Sequence, residues 1–146
     1  HCGPGQNPRF VISSIVLQFV RAMQGKQEPE IRIGNGSIVR DFLDVRDVVA
    51  AYLLLLEHGR SGEVYNVCSG RGHAIRDVIR LLSALYDVPV SIAEEQDQFR
   101  PIDNPRITGS YDKIQQELGW HPVIPFEETL RSMVDYWVVH EENSRL

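Results

Sequence analysis

The chain has 146 residues, of which 42% are apolar and 24% are charged, and its formal net charge is -5. This is the composition of a globular domain that can fill a core, and it excludes global disorder. The acidic balance and the lack of a basic stripe argue against nucleic-acid binding, and no apolar stretch is long enough to span a membrane. The two cysteines, Cys2 and Cys68, form no CxxC pair, so zinc and redox motifs are absent and a reducing cytoplasm is expected.

The first elements are a predicted helix and a strand. Asn7-Pro8 is typical of a helix start, and apolar residues recur at helical spacing as far as Gly25. A short strand is predicted at Glu30–Ile33, followed by a glycine turn at 34–36 and extended backbone at 38–43.

A second, strongly apolar helix follows. Asp44 is placed to cap it, its body runs from about Val45 to His58, and Gly59 ends it. Residues 48–56 are apolar on more sides than a surface helix requires, so we expect most of this helix to be covered. If the chain is separated from a larger protein, that surface becomes exposed.

The remaining elements alternate between strands, loops and helices. The pattern predicts a strand at 63–67, a flexible loop at 69–72, a helix at 75–86, a strand after the turn at 88–89, a polar loop at 96–105, a helix capped by Ser110 and ending near Leu118, and a last helix opening at Pro125. Residues 1–140 are therefore interpreted as one mixed α/β unit, with 141–146 as a polar tail that frays.

Two arginines are candidates for binding an anion. Arg40 follows a glycine turn within extended structure, and Arg100 lies in a loop stiffened by two prolines. A guanidinium in a rigid setting offers a fork of donors suited to phosphate oxygens. The alternatives stand about even: Arg40 could form a structural pair with Asp41, and the loop of Arg100 could be merely solvated.

Two further segments give weaker signals. The turn His1-Cys2-Gly3-Pro4-Gly5-Gln6 lets the backbone approach a bound group closely, and Asn66 ends a predicted strand. In isolation a plain tight turn and a turn-forming asparagine are the better interpretations. The five histidines are scattered, so no metal site is expected.

Together these segments resemble the C-terminal half of extended short-chain dehydrogenases/reductases (SDRs) of the NAD-dependent epimerase/dehydratase family, which act on nucleotide sugars. The matching segments occur in the family's order: Gly3-Pro4-Gly5-Gln6, Val39-Arg40-Asp41-Phe42 with Asp47, Tyr65-Asn66-Val67 with Ser69-Gly70, Arg100-Pro101-Ile102-Asp103, and Lys113 to Trp120. The family's GxxGxxG turn, YxxxK pair and catalytic Ser/Thr are absent, so this part alone is expected to be inactive.

The resemblance implies the fold class and the site. The chain would be the C-terminal part of an NAD(P)-binding Rossmann-type extended SDR, including the smaller mixed α/β domain that binds the nucleotide sugar. Substrate-binding residues carried over are Arg40, Arg100, Asn66, Arg9 and Asn35. His1 and Gly3 would lie near the cofactor, and catalytic residues would precede this segment. We further expect Arg40 and Arg100 to converge on one diphosphate.

Within the family, His1 to Gln6 followed by Pro8-Arg9-Phe10-Val11 is most similar to the GDP-sugar branch. This implies a GDP-4-dehydro-6-deoxy-D-mannose reductase, cytoplasmic and homodimeric as a complete enzyme, with a GDP-sugar as substrate and NAD(P) as cofactor. The alternatives are a GDP-mannose 4,6-dehydratase, another epimerase or dehydratase of nucleotide sugars, a non-catalytic homologue that binds sugar nucleotides, or a structural fragment without a pocket.

Overall fold

A computed structural model describes residues 1–96 and 104–143, with side chains of the last helix as far as Glu141. The predicted mixed α/β architecture is confirmed. The elements in chain order are α1 (Val11–Met23), β1 (Glu30–Ile33), β2 (Val39–Asp41), α2 (Val45–His58), β3 (Gly72–Ala74), α3 (Ile75–Tyr86), β4 (Ser91–Glu94), β5 (Arg106–Ile107), α4 (Asp112–Leu118) and α5 (Phe126–Asn143).

The main core lies between α1, α3, α5 and a two-stranded parallel sheet. In that sheet β1 pairs with β4, with Glu30 opposite Ser91 and Ile33 opposite Glu94. Side chains alternate along β1, so Ile31 and Ile33 are buried while Arg32 faces solvent. Helix α1 lies over these strands and contributes much of the core, including the fully buried Phe19.

A second sheet has the order β3-β2-β5. Strand β2 pairs antiparallel with β3 and parallel with β5. The smaller of the two core clusters described lies under α2 and α4, and its fully packed members are Leu43, Val48, Ala51, Ile114 and Trp120. The 34–38 turn joins the end of β1 in the first sheet to the start of β2 in the second sheet.

Helix α2 is apolar on two sides, but only one of them is covered. Its inner side contributes Val48 and Ala51 to the smaller cluster. The outer stripe of α2 consists of Val49, Tyr52, Leu53 and Leu56, whose exposed fractions are 51%, 56%, 58% and 83%. The covering predicted for 48–56 is therefore met on one side only, because the described residues place no other element over the outer stripe.

We predict that the 146-residue chain by itself self-associates through the outer stripe of α2. At about 25 cal/mol per Å² of apolar area, burying a few hundred Å² supplies several kcal/mol. Sedimentation should show species larger than 16.6 kDa, and the double variant Leu53→Gln/Leu56→Gln should sediment as a monomer. The variant Glu57→Gln, one position beyond the stripe, should behave like the wild type. A monomeric wild type with a cooperative melt would contradict the prediction.

Three predictions about the elements were wrong. Residues 63–67 form no strand, because no described strand lies beside them to accept or donate ladder hydrogen bonds. The first helix begins at Val11 rather than at Asn7-Pro8: the Asn7 Oδ1 accepts from Arg9 N at 2.9 Å, which closes a turn before the helix. Strands β3 and β5 were not predicted: β3 begins at Gly72, the last residue of the predicted flexible loop, and β5 directly follows the predicted polar loop.

The last helix extends further than predicted. It continues to Asn143 instead of giving way to a polar tail at 141. Glu141 Oε1 accepts from Arg21 Nη2 at 3.0 Å, and the Glu141 main-chain oxygen accepts from Lys26 Nζ at 2.7 Å. These contacts tie the end of α5 to the end of α1. No helix in the described ranges has the length and apolarity needed to cross a membrane.

Candidate functional site

A cavity of about 760 Å³ opens where the first turn, α1, the 34–38 turn and β2 meet. Its size is within the range of pockets that bind small molecules. The residues around it are His1, Gln6, Arg9, Phe10, Val11, Ile12, Ser14, Ile15, Arg32, Ile33, Gly34, Asn35, Ile38, Arg40, Asp41, Phe42 and Ile75. Four of the residues predicted to bind substrate or cofactor, His1, Arg9, Asn35 and Arg40, therefore border one cavity.

Cationic groups line this cavity. Arg9 and Arg40 reach it from α1's lead-in and from β2. Arg32 also borders it, but its guanidinium is paired with Glu30 at 3.0 Å and with Glu95 at 3.3 Å. No carboxylate in the described part of the chain pairs with Arg9. The cavity is thus suited to an anion, although the chain as a whole is acidic.

Arg40 is fixed by main-chain oxygens. Its Nη1 donates to Val39 O at 2.8 Å and to Asn104 O at 2.8 Å. The pairing of β2 with β5 brings Asn104 to this position, since Val39 N also donates to Pro105 O at 2.8 Å. The paired strands hold the arginine as the rigid donor that sequence analysis expected.

Asn35 lies in the turn between β1 and β2, at the cavity's edge. Its Oδ1 accepts from Ser37 N at 2.9 Å and from Ser37 Oγ at 2.5 Å. A Cβ on the neighbouring Gly36 would lie 2.6 Å from Glu94 Oε1, so a glycine lets this turn pack closely. Because the Asn35 oxygen is engaged, its amide NH₂ is the group that can donate to a ligand.

Apolar side chains also line the cavity. Ile12, Ile15 and Ile75 form its buried part, and Phe10 stands at the mouth with 59% of its surface exposed. Sequence analysis included Gln6 in the turn that could approach a bound group, but it did not foresee Arg32 at the site. The alternation of β1 could have identified Arg32, whereas Gln6 is placed by a hydrogen bond from Nε2 to His1 O at 2.9 Å that no periodic pattern reveals.

The first turn contributes less to the cavity than predicted. His1 is exposed at its edge, but Gly3 is buried, and a Cβ there would lie 2.6 Å from Val45 Cγ1. Between them Cys2 is 1% exposed, donates its amide to Leu43 O at 2.9 Å, and has its thiol pKa raised to about 12 by burial. The packing of α2 therefore accounts for a glycine at position 3.

We predict that Gly3→Ala destabilises the chain by about 1–3 kcal/mol, the usual cost of overpacking a core. The added methyl would collide with Val45, which opens α2. Urea denaturation should show the loss, and the double variant Gly3→Ala/Val45→Ala should recover most of it. An unchanged free energy of unfolding in Gly3→Ala would contradict the packing role of Gly3 and leave ligand binding as the reason for a glycine at this position.

Asn66, another predicted site residue, lies away from the cavity. Asn66 is exposed and does not border the cavity. Arg100 lies outside the described residues, so its convergence with Arg40 stays a prediction. Within the ranges described, no three His, Cys, Asp or Glu side chains are grouped so that they could hold a metal ion.

Two buried aspartates that do not border the cavity, Asp44 and Asp47, anchor different parts of the chain. Asp44 Oδ1 accepts from Arg46 N at 2.8 Å and caps α2, and Asp44 Oδ2 accepts from Thr129 Oγ1 at 2.7 Å. Burial would raise the pKa of Asp44, but hydrogen bonds from Arg46 and Thr129 outweigh it, so the pKa is lowered. Asp47 Oδ2 accepts from the amides of Val123 and Ile124 at 3.1 and 3.0 Å.

The mixed α/β fold described above matches solved structures of Rossmann-type extended SDRs. The RMD protein of Pseudomonas aeruginosa, solved in complex with NADPH, matches with a TM-score of 0.90 and 40% identity over 96% of this chain and 46% of that one. The UDP-glucose 4-epimerase of Thermotoga maritima, solved with UDP-glucose, matches with a TM-score of 0.78 and 30% identity, over 95% of this chain and 43% of that one.

The chain belongs to the GDP-mannose 4,6 dehydratase family, whose model matches residues 1–133. It is 41% identical over 137 residues to the GDP-6-deoxy-D-mannose reductase of Pseudomonas aeruginosa, covering 94% of this chain. It spans only 45% of the length of that relative. The family resemblance stated from the sequence is thereby confirmed.

Proposed function

We propose that this chain is the substrate-binding portion of an NAD(P)-dependent nucleotide-sugar enzyme, a GDP-4-dehydro-6-deoxy-D-mannose reductase in the first instance. The observation that carries the proposal is a cavity bordered both by Arg9, Asn35 and Arg40 and by apolar side chains. A nucleoside diphosphate combines an anionic diphosphate with a flat base whose faces stack on apolar side chains. Its binding therefore needs both cationic and apolar groups. The 41% identity to a GDP-6-deoxy-D-mannose reductase supports the choice of nucleotide sugar.

Each side of the cavity has a role in this proposal. Arg40, held by two carbonyl oxygens on β2, binds the diphosphate, with Arg100 as its proposed partner. Phe10 packs on the base, Arg9 approaches it from the same turn, and Asn35 donates an amide N–H to a carbonyl oxygen of the base. Asn66 would contact the nucleotide or sugar only if the complete enzyme brings it to the substrate.

The cofactor would be held mainly by other parts of the complete enzyme. His1 borders the cavity, but Gly3 has no open space above it because Val45 occupies that position. The described residues therefore fit a sugar nucleotide better than they fit a dinucleotide. When bound, NAD(P)H supplies the hydride that reduces the keto group at C4 of the sugar, and this chain holds that sugar in place.

A dehydratase is the second candidate, because the matching family model is that of the GDP-mannose 4,6 dehydratases. Both activities require the same nucleotide to be held, so the cavity does not separate them. We place the complete enzyme in the cytoplasm, where the free thiols of Cys2 and Cys68 would persist. Its assembly as a homodimer is a prediction from the family resemblance.

Nucleotide binding tests the proposal directly. Calorimetric titration of the complete protein should show that GDP binds more tightly than UDP. Guanosine should bind more weakly than GDP because it lacks the phosphates. The complete enzyme should oxidise NAD(P)H with GDP-4-dehydro-6-deoxy-D-mannose, whereas this chain alone should not. Binding without turnover in the complete protein would indicate a non-catalytic homologue, and no binding of any nucleotide would refute the proposal.

A further inference from the structure

Asp41 follows Arg40 on β2 and accepts four hydrogen bonds that have no role in the proposed function. Its Oδ1 accepts from Ser69 N at 2.8 Å and from Ser69 Oγ at 2.6 Å. Its Oδ2 accepts from Gly70 N at 3.0 Å and from Gly109 N at 3.2 Å. Both oxygens of one carboxylate thus bind two segments that are far apart in the sequence. The possible Arg40–Asp41 pair considered from the sequence is replaced, for these oxygens, by main-chain and hydroxyl donors.

The contacts of Asp41 and Arg40 are complementary. Arg40 donates to Asn104 O, just before β5, and Asp41 accepts from Gly109 N, just after it. The two side chains therefore hold the 104–109 segment against β2 at both ends. Asp41 also borders the cavity, but both of its carboxylate oxygens are engaged by Ser69, Gly70 and Gly109, so it holds the segment and its charge is hydrogen-bonded.

The turn at 69–70 shows how closely this arrangement is packed. Gly70 has a φ of 72°, in the left-handed region that favours glycine, and a Cβ on Gly109 would lie 2.6 Å from Cys68 Sγ. Close main-chain approach from both sides lets one short carboxylate reach three amides. A longer or uncharged side chain could not satisfy the same donors in the same space.

We infer that Asp41 is a positioning residue for nucleotide binding: by fixing the 104–109 segment and the 69–70 turn, it holds Arg40 in its place at the cavity. The inference rests on the proposed function, since it assigns Arg40 to the diphosphate. Because four hydrogen bonds already occupy the Asp41 carboxylate, we assign it no direct contact with the base or the phosphates. Its loss should therefore weaken the contact that Arg40 makes and leave base binding intact.

The test compares GDP with guanosine in calorimetric titrations of the complete protein, at a temperature where every variant is folded by circular dichroism. Asp41→Asn should raise the Kd for GDP about tenfold, the scale of one lost charge-assisted contact, and leave guanosine binding within about twofold. The milder Ser69→Ala removes one of the four hydrogen bonds and should raise the Kd for GDP about two- to threefold. Asp77→Asn, which removes an exposed charge on α3, should change neither.

A double-mutant cycle separates positioning from general destabilisation. If Asp41 acts through Arg40, Asp41→Asn should add little to the loss already caused by Arg40→Ala, because the two changes remove the same contact. Additive losses, or equal losses for GDP and guanosine, would overturn the inference. So would an Asp41→Asn or Ser69→Ala protein that binds GDP as the wild type does while Arg40→Ala does not. Failure of the wild type to bind GDP would instead refute the proposed function.

Discussion

Asp44→Ala is expected to lower the free energy of unfolding by about 3 kcal/mol, because several contacts depend on this one buried carboxylate. The Asp44 side chain is fully buried, caps α2 through Arg46 N, and receives the hydroxyl of Thr129 from α5. Its Oδ1 also accepts from Arg46 Nε at 2.9 Å. Alanine would leave the buried Thr129 hydroxyl with only the long contact to Pro125 O at 3.5 Å, which costs more than the loss of an exposed ion pair.

Urea denaturation of the wild type and the variant measures this loss. Asp77→Ala is the matched control, since Asp77 forms an exposed i,i+3 pair with Arg80 at 2.9 Å. The control should change the free energy of unfolding by no more than about 0.5 kcal/mol. An Asp44→Ala protein as stable as the control would show that the cap and the Thr129 contact contribute nothing measurable.

The same carboxylate predicts the acid limb of stability. The pKa of Asp44 is lowered below 3.8 in the folded chain, so its contribution is fully present above that pH. It is lost as the pH falls through the folded pKa, when the unfolded chain binds the proton more readily. Asp44→Asn should therefore flatten the decline of stability below about pH 4, as measured by unfolding at a series of pH values.

The second large effect concerns ligand binding. Arg40→Ala should raise the Kd for GDP about 30- to 100-fold, or about 2–3 kcal/mol, because a charge-assisted contact to the diphosphate is lost. Arg40→Lys should recover only part of the affinity, since an ammonium cannot reproduce the planar fork held by Val39 O and Asn104 O.

Calorimetric titration with GDP and guanosine checks this result. Guanosine binding should be almost unchanged in Arg40→Ala, because the base is bound by other residues. Arg80→Ala is the matched control: Arg80 is an exposed arginine on α3 and does not border the cavity. An equal weakening for GDP in both variants would mean that net charge, and not Arg40, governs the affinity.

Local signals predicted the elements that they specify. The strand Glu30–Ile33, the helix Val45–His58 with its Asp44 cap, and the helix Ile75–Tyr86 have the bounds that alternation, capping and helical spacing indicated. Strands β3 and β5 have only three and two residues, and their existence depends on pairing with β2. The sequence pattern of such a short segment cannot predict which strand, tens of residues away, it will pair with.

The site residues likewise divide into those that the sequence identified and those whose contacts depend on distant segments. The family resemblance, together with the glycine turn, identified His1, Arg9, Asn35 and Arg40, which border one cavity. The cofactor contact of Gly3 stays a prediction, because a glycine needed for packing against Val45 and a glycine needed for a ligand look alike in a sequence. The cap formed by Asp44 was predicted, but the contacts of Asp41, Asp44 and Asp47 with Gly109, Thr129 and Val123 were not, because each depends on which later segment folds back against it.

The spacing of those three aspartates has a consequence for the order of folding. Asp41 reaches Gly109, Asp44 reaches Thr129 and Asp47 reaches Val123, at sequence separations of 68, 85 and 76 residues. Contacts across such long loops carry a large closure entropy and form late. During synthesis, the contacts of residues 41–47 with Gly109, Thr129 and Val123 therefore cannot form until the last third of these 146 residues has been made. The stretch that holds Arg40 in place is then among the last to be completed, so binding competence and completion of the fold arrive together.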